Sequence, residues 1–477
     1  MSFKSNSTTQ AFASDTVPAL FGTGNTSPLE TNHNSSNITS LIHSDASTLD
    51  WFGAFCRTGY GKILISAHRK GLSGTTTSSN DFAGAVYAFD TEGNNQIKMV
   101  EPGIPAVDRN FGYGIGITDR GYVIGSYVSN AVYLFDYNGN TSNVTTLTSN
   151  TVAATAYFGY VIAANCGKIA VGGRWANADK IHVYDSDGSN EQILELSDDL
   201  FPAYVNVAEY TASANVTSGV NFGAGGSNRI AIGSDRIIVG ATTFPNDYEM
   251  YYTDNNGAAF VYDTDLNYIM TLRPSDRYGG PAANNNGSNK IEYGHSVAVG
   301  CGRIAVGTWW KARPVTQPFN GVGAVYLYDM SGKEIAILDP EVAGYSVSAG
   351  ANTTSSNGGI NHFMAFGNQI VINGGRVYVS APDWDGAQGE LNGGGGIFQF
   401  TLDGDFIQAW RPTATAAGDH WGGTSGQFSP LDVRDGIMVA GAYAGDTDGS
   451  ASGKAYIVPA PDTITPQDLK DMNESLI

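Results

Sequence analysis

The chain has 477 residues, a formal net charge of −20, 42% hydrophobic residues and only 15% charged residues. So acidic a surface excludes nucleic acid and anionic membranes as main partners, because both are bound through clusters of Lys and Arg. The 61 glycines, together with many Ser, Thr and Asn residues, favour short strands joined by tight turns and exclude a fold built from long helices.

The first segment, residues 1–36, is rich in Ser, Thr and Asn, so we expect an N-terminal arm that is disordered or ordered by a partner. The start has no apolar core of a secretory signal, and no apolar run long enough for a membrane span occurs. The cysteines, Cys56, Cys166 and Cys301, are odd in number. These features together indicate reduced thiols and folding in a cytosol.

The remainder of the chain is dominated by one repeated phrase, which starts at an aromatic-Gly pair. The clearest copy reads YGHSVAVGCGRIAVG over residues 293–307 and GAVYLYDMSGKEIAILDP over residues 323–340. Six further copies start at Phe52, Phe111, Phe158, Phe222, Phe366 and Trp421. Starts that lie about 47 to 73 residues apart are typical of the blades of a β-propeller.

Each copy divides into four strands. The second strand is an apolar run suited to burial on both faces, the third alternates, and turns such as residues 329–332 join strands three and four as a hairpin. The repeat therefore predicts an all-β fold, a single seven-bladed β-propeller of four-stranded antiparallel blades.

The last copy ends at residues 453–461 without a fourth strand. Residues 37–43 read like the fourth strand of an earlier copy at residues 268–274, so we predict that this N-terminal strand completes the last blade and closes the ring. The predicted propeller thus spans residues 37–461. Residues 462–477 form a C-terminal tail, in which Thr465-Pro466 indicates the start of a short helix.

The aromatic-Gly start and the Gly-Ala-Val-Tyr strand resemble the FG-GAP repeats of integrin-α-type propellers over roughly residues 51–461. The resemblance implies a propeller fold and a role in adhesion or surface recognition. Many repeats of that family carry a calcium loop between strands one and two. Here the corresponding turns, such as residues 165–168 and 300–303, are too short and too poor in carboxylates for that loop.

The insertions in the predicted ring are unequally distributed between its two faces. Loops between strands two and three share one face with the loops between blades, and this face receives the long segments 68–83, 199–221, 243–256, 277–292, 309–321, 341–365, 382–394 and 444–452. We therefore predict that this face binds a ligand. Its candidate binding residues are the aromatic side chains that stack on sugars or anchor protein interfaces, unless they pack beneath their own loops: Tyr248, Tyr251, Tyr252, Trp309, Trp310 and Trp384.

We expect no cofactor, with one possible exception: two pairs of carboxylates on the same face are candidates for binding calcium. They are Asp383 with Asp385 and Asp446 with Asp448, and ordinary Asx turns are the alternative interpretation. Motifs for zinc hydrolases, nucleotide-binding loops and nucleophile elbows are absent from the sequence. We therefore expect no catalytic residues, although a glycan-active hydrolase with paired carboxylates stays an alternative.

These observations indicate that the chain is a structural or recognition protein. A fold of adhesion type without a secretion signal fits a phage virion component, a capsid decoration or tail protein that folds in the host cytoplasm. Its expected partners are other virion proteins, bound through the arm or the tail, and a host surface glycan or protein. The alternative is a lectin-like adhesin that is secreted or held at the cell surface.

Overall fold

The structure is a computed structural model. It describes residues 38–72, 82–103, 108–149, 157–174, 180–201, 221–224, 226, 228–244, 257–275, 292–308, 322–340, 365–384, 394–411, 419–423, 428–445 and 452–459. The predicted arm at residues 1–36 and the tail at residues 462–477, with its predicted helix, lie outside this part of the chain.

In the described residues, 28 strands form seven four-stranded antiparallel sheets, as the repeat predicts. The first blade consists of β2 (Cys56–Gly59), β3 (Lys62–Ala67), β4 (Ala85–Asp90) and β5 (Ile97–Met99). The second consists of β6 (Phe111–Thr118), β7 (Gly121–Ser126), β8 (Ala131–Phe135) and β9 (Thr145–Thr148). The third consists of β10 (Val161–Asn165), β11 (Lys168–Gly172), β12 (Lys180–Asp185) and β13 (Gln192–Glu195).

The next four blades complete the ring. They consist of β14 (Ile230–Ile232), β15 (Ile237–Ala241), β16 (Ala258–Tyr262) and β17 (Tyr268–Leu272); β18 (Ser296–Gly300), β19 (Arg303–Thr308), β20 (Ala324–Asp329) and β21 (Glu334–Leu338); β22 (Ile370–Asn373), β23 (Arg376–Ala381), β24 (Gly396–Thr401) and β25 (Phe406–Trp410); β26 (Leu431–Arg434), β27 (Ile437–Ala442) and β28 (Lys454–Pro459), with β1 (Thr39–Leu41). Three single-turn 3-10 helices, at Tyr127–Ser129, Thr141–Asn143 and Asp198–Leu200, are the helical segments of the described chain, and no helix there is long and apolar enough to cross a membrane.

The sheets are arranged in a closed ring. The first strand of each blade contacts the first strand of the next blade, and β26 of the seventh blade contacts β2 of the first. The first strands therefore surround the central axis. The second and third strands are almost entirely buried between neighbouring blades, which accounts for the apolar run of the second strand. The third strand, predicted to alternate, is likewise buried at successive positions.

The aromatic-Gly phrase marks the place where two blades touch through their backbones. Gly323, just before β20, is paired with Phe366, the start of the next blade. A Cβ atom on Gly323 would lie 1.9 Å from the Phe366 carbonyl oxygen, and its φ of +84° also favours glycine. Four other blades repeat this contact. In the second blade Asn130 replaces the glycine, adopts φ of 49° and accepts a hydrogen bond from the Phe158 N–H through its side-chain oxygen.

The hairpin turns between strands three and four make a second contact between blades that recurs around the ring. Asp329 accepts hydrogen bonds from the N–H groups of Ser331 and Lys333, at 2.9 and 3.0 Å, which confirms the predicted turn. Gly332 in the same turn lies over the fourth strand of the preceding blade, because a Cβ there would meet the Met270 sulfur at 2.5 Å. The turn therefore links neighbouring blades at their outer edge.

The N-terminal strand closes the ring, as predicted. β1 pairs with β28 in antiparallel register, with Ser40 opposite Tyr456. The turn glycine of the first blade, Gly93, lies against Leu41 of β1 as the other turn glycines lie against fourth strands. Within the segment predicted to complete the last blade, residues 39–41 form the strand.

The chain that follows β1 is fixed to the first blade by a buried network of charges. The Lys70 ammonium lies 2.9 Å from a carboxylate oxygen of Asp50, and both side chains are almost completely buried. The imidazole of His43 lies between Asp50 and Asp45, at 3.4 and 3.1 Å. Asp45 in turn accepts hydrogen bonds from Lys98 and Tyr87, and these bonds hold the pKa of its carboxyl below the usual range although burial opposes them.

Deletion of residues 1–45 should lower the melting midpoint of the whole ring by at least several degrees in one cooperative transition. The deletion removes the fourth strand of the seventh blade together with part of the charge network, so an edge of β28 becomes exposed. Calorimetry or circular dichroism measures the midpoint. Deletion of residues 1–36 is the matched control, since it keeps β1. An unchanged midpoint for the longer deletion would contradict closure by β1.

Substitution Gly323→Ala should destabilise the protein more than Gly302→Ala. Both glycines have positive φ, at +84° and +71°, but a Cβ on Gly302 meets nothing within 4 Å. Gly302→Ala should therefore cost about 1 kcal/mol for the backbone conformation alone. Gly323→Ala adds an overlap with the next blade and should cost about 3 kcal/mol or more. Denaturant unfolding measures both, and equal losses would show that the blade contact is unimportant.

Candidate ligand-binding face

The face with the long insertions, hereafter the long-loop face, carries the loops between the second and third strands and the loops between blades. Second strands end there and first strands begin there. Of the predicted binding residues, Tyr248, Tyr251, Tyr252, Trp309 and Trp310 lie outside the described residues. The described part of this face consists of the residues nearest the axis, at the bases of the loops.

Trp384 is the described member of the predicted set, and the prediction that it forms part of an exposed binding surface is wrong. Its side chain is only 3% exposed and packs on the ring of Phe398, with 5.0 Å between the ring centroids. The indole lies across Gly396, which has no side chain to displace it. Trp384 therefore belongs to the core beneath its own loop.

The predicted cation residues are only partly described. Asp383 lies 3.0 Å from Nδ1 of His420, so its carboxylate already contacts a neighbouring side chain. Asp385, Asp446 and Asp448 lie outside the described residues, and calcium binding there stays a prediction. Within the described ranges, no group of three His, Cys, Asp or Glu side chains is arranged to hold a metal ion.

The position directly after each aromatic-Gly pair forms a ring around the axis on the long-loop face. In the second and third blades this position is Tyr113 and Tyr160. Their hydroxyl groups are hydrogen-bonded to each other, and their ring centroids lie 4.2 Å apart. Burial raises the pKa of Tyr113 well above its usual range, so this pair is neutral at physiological pH.

On the opposite side of the axis, the residues at this position are polar. His295 and Asn368 occupy the same position in the fifth and sixth blades and are hydrogen-bonded to each other. Burial lowers the pKa of His295 well below its usual range, and the nearby Arg229 guanidinium lowers it further. Arg229 is itself only 6% exposed, and burial lowers the pKa of its guanidinium to about 10. The ring thus has an aromatic half and a polar half.

A cluster of aromatic side chains surrounds His68 on the aromatic half. The imidazole, 2% exposed, packs edge-on against Trp51, Phe55 and Tyr113, with centroid distances of 5.2 to 5.7 Å. Phe428 of the seventh blade completes the cluster at 5.6 Å. Burial lowers the pKa of His68 to about 3, so its imidazole is neutral at physiological pH.

Half-buried side chains cover this cluster towards solvent. Each of them lies at the end of a second strand or just before a first strand, in the seventh, first, second or third blade. We call them the axial aromatic surface: Trp51, Arg69, Tyr127, Tyr157, Arg174 and Tyr443. Cζ of Arg69 lies 3.2 Å from the Trp51 ring centroid, and Cζ of Arg174 lies 5.1 Å from that of Tyr160.

The axial aromatic surface combines flat apolar rings with guanidinium groups that donate hydrogen bonds. Tyr127 and Tyr157 pack edge to face at 5.3 Å, and Trp51 and Tyr443 at 5.1 Å, so the rings support one another and are held in fixed orientations. Rings fixed in this way lose little conformational entropy when a ligand binds. The arrangement is suited to stacking on a sugar ring or anchoring a protein side chain.

The sequence carries a signal for the aromatic side of the axis that loop length alone does not show. The third residue of the aromatic-Gly phrase is Ala54 in the first blade but a tyrosine in the second and third, at Tyr113 and Tyr160. A large residue that breaks a repeat at an axial position marks an elaborated site. The partners Tyr127 and Tyr443 follow second strands at the bases of loops, where the sequence alone does not give their distance from the axis.

Comparison with known proteins identifies no family. No family model matches the chain, and no curated protein matches it. Among solved structures, the chain is similar to the β-propeller domain of the Trilobed protease from Pyrococcus furiosus, which is described as having an open velcro topology, at 11% identity and a TM-score of 0.42 over 81% of this chain and 90% of that one. The propeller assignment therefore depends on the strand topology, and membership of the FG-GAP family stays a prediction.

Proposed function

We propose that the protein is a non-enzymatic recognition propeller that binds a surface glycan or protein through its long-loop face. The observation that carries this proposal is the axial aromatic surface, where Trp51, Tyr127, Tyr157 and Tyr443 lie half-buried around two arginines. Aromatic and Arg side chains at the centre of a face are those that contribute most to binding energy. The long insertions around them would enlarge the contact area.

The electrostatics of the site supports binding rather than proton transfer. Burial keeps His68 and His295 neutral at physiological pH, since it lowers the pKa of each imidazole. Burial also keeps Tyr113 protonated. A general acid or base works best when its pKa lies near the operating pH, and these buried groups do not meet that condition. These properties support a site that acts through stacking and hydrogen bonding.

Trp51→Ala and Tyr443→Ala should each weaken binding to a glycan array or to candidate host cells about tenfold or more, because each removes a ring from the axial aromatic surface. Surface plasmon resonance on the best ligand measures the loss, and circular dichroism verifies folding of each variant. Tyr268→Ala is the matched control, since Tyr268 is 44% exposed on an outer strand of the fourth blade.

Two results would contradict this assignment. One is undiminished binding by both axial variants with a folded ring. The other is turnover of a bound glycan that a single Asp or Glu substitution abolishes, which would favour the glycan-active hydrolase.

We further propose that the propeller is carried on a phage virion, as a capsid decoration or tail component. The three cysteines are free thiols, with Cys56 completely buried, which fits folding in a reducing host cytoplasm. Ring closure by β1 fits a particle protein as well, because it leaves the seventh blade without an unpaired outer edge. The arm and the tail are the proposed contacts with other virion proteins.

Purified particles should contain the chain in a fixed ratio to their main capsid protein, as measured by quantitative mass spectrometry. Electron microscopy with an antibody against the chain should label either the capsid lattice or the tail. Recovery of the chain only from the cell surface or the medium, with particles free of it, would overturn the virion proposal and favour a lectin-like adhesin. The glycan-binding experiment is independent of this outcome.

A further inference from the structure

An axial cavity opens on the face opposite the long loops. Its volume is about 330 Å³, and it is lined by residues along the first strands of six blades and by the turns that follow them. Two of these turns carry Cys166 and Cys301, which are exposed thiols. The volume is at the lower end of that of small-molecule sites, which is roughly 300–1,000 Å³. The cavity is separate from the axial aromatic surface.

Three charged side chains line this cavity in the described structure: Arg57, Asp432 and Arg434. The carboxylate of Asp432 is occupied by backbone donors, since its two oxygens accept hydrogen bonds from the N–H groups of Thr58 and Val433, both at 2.9 Å. Two positive charges and one negative charge therefore face one space, in a protein whose net charge is −20.

Neither arginine forms an ion pair with Asp432, the carboxylate that lines the cavity with them. Arg57 donates through one terminal nitrogen to the carbonyl oxygens of Cys56 and Ser429, at 2.8 and 3.1 Å, and to the Ser429 hydroxyl at 2.7 Å. Arg434 lies across Gly59, where the absence of a side chain leaves room for it. Among the described residues, neither arginine forms an ion pair within 4.0 Å.

Burial lowers the pKa of Arg57, the nearby Asp432 carboxylate opposes this shift, and the charge of Arg434 adds a smaller lowering. The two guanidinium groups thus repel each other, and Asp432 supplies the one negative charge among the lining side chains that offsets this repulsion. A bound anion would relieve both the repulsion and the loss of solvation.

We propose that this cavity binds a small organic anion, whose carboxylate or phosphate group meets Arg57 and Arg434. Guanidinium groups present paired donors that match the oxygens of both anions. The carbon skeleton of the ligand lies along the apolar lining, which includes Ala163, Ala298 and Val371. Such a ligand joins the first and seventh blades, because the two arginines belong to β2 and β26.

Isothermal titration calorimetry of the full chain tests this site, with succinate and inorganic phosphate as separate ligands at constant ionic strength. We expect saturable binding of at least one of them to a single site. Arg57→Gln and Arg434→Gln should each weaken it about tenfold or more, the loss expected when a charge-assisted hydrogen bond is removed. Binding of succinate alone identifies a carboxylate site, and binding of phosphate alone identifies a phosphate site.

Arg303→Gln is the matched control. Arg303 lies on the same face but outside the cavity, and its guanidinium contacts Leu402 and Asp403. Arg57→Gln also removes the contact with Ser429 and could loosen the ring, whereas Arg434→Gln leaves that contact intact. Weaker binding by Arg434→Gln with an unchanged melting midpoint therefore supports the site on its own. Absence of saturable binding by either anion, or equal weakening by Arg303→Gln, would overturn the proposal.

Discussion

The whole structure depends on the close approach of backbones between neighbouring blades. At five of the seven junctions a glycine before the third strand lies against the aromatic residue that starts the next blade, at a distance that leaves no room for a Cβ atom. The contact fixes the separation and the angle of each pair of blades, so it also fixes the number of blades that complete the circle. Gly323 with Phe366 is one example. The buried second and third strands pack against neighbouring blades at this spacing.

A ring made of such contacts is stable only when its two ends meet. The junction between the seventh and first blades uses the same backbone contact as the others, between Gly453 and Phe52, and adds three features. β1 supplies the missing strand, the network around Asp50 fixes the following segment, and Arg57 contacts Ser429 beside the axis. Closure is therefore distributed from the outer edge to the centre. This distribution makes the ring a single cooperative unit rather than an array of independent blades.

The fold could be predicted from the sequence almost completely, because the contacts that define it recur at each blade. The predicted turn at residues 329–332 joins β20 to β21, and the resemblance of residues 37–43 to another fourth strand predicted the closure. The candidate site could not be predicted in the same way. In the sequence, Trp384 lies in a long loop, where an exposed aromatic residue would also lie. It packs inward because Gly396 has no side chain to occupy the same space. Tyr443 and Trp51 lie far apart in the chain, and closure alone brings them together.

The two ends of the axis differ in chemistry for a reason that follows from the repeat. On the long-loop face, the residue after each aromatic-Gly pair is free to vary, since it points towards the axis rather than into a blade junction. Variation there produced the tyrosine pair on one side and the His295 and Asn368 pair on the other. On the opposite face, tight turns keep the first strands close, and the cavity between them is narrow and charged. A ring whose junctions largely repeat one backbone contact thus concentrates its chemical differences at the axis, where side chains from several blades meet.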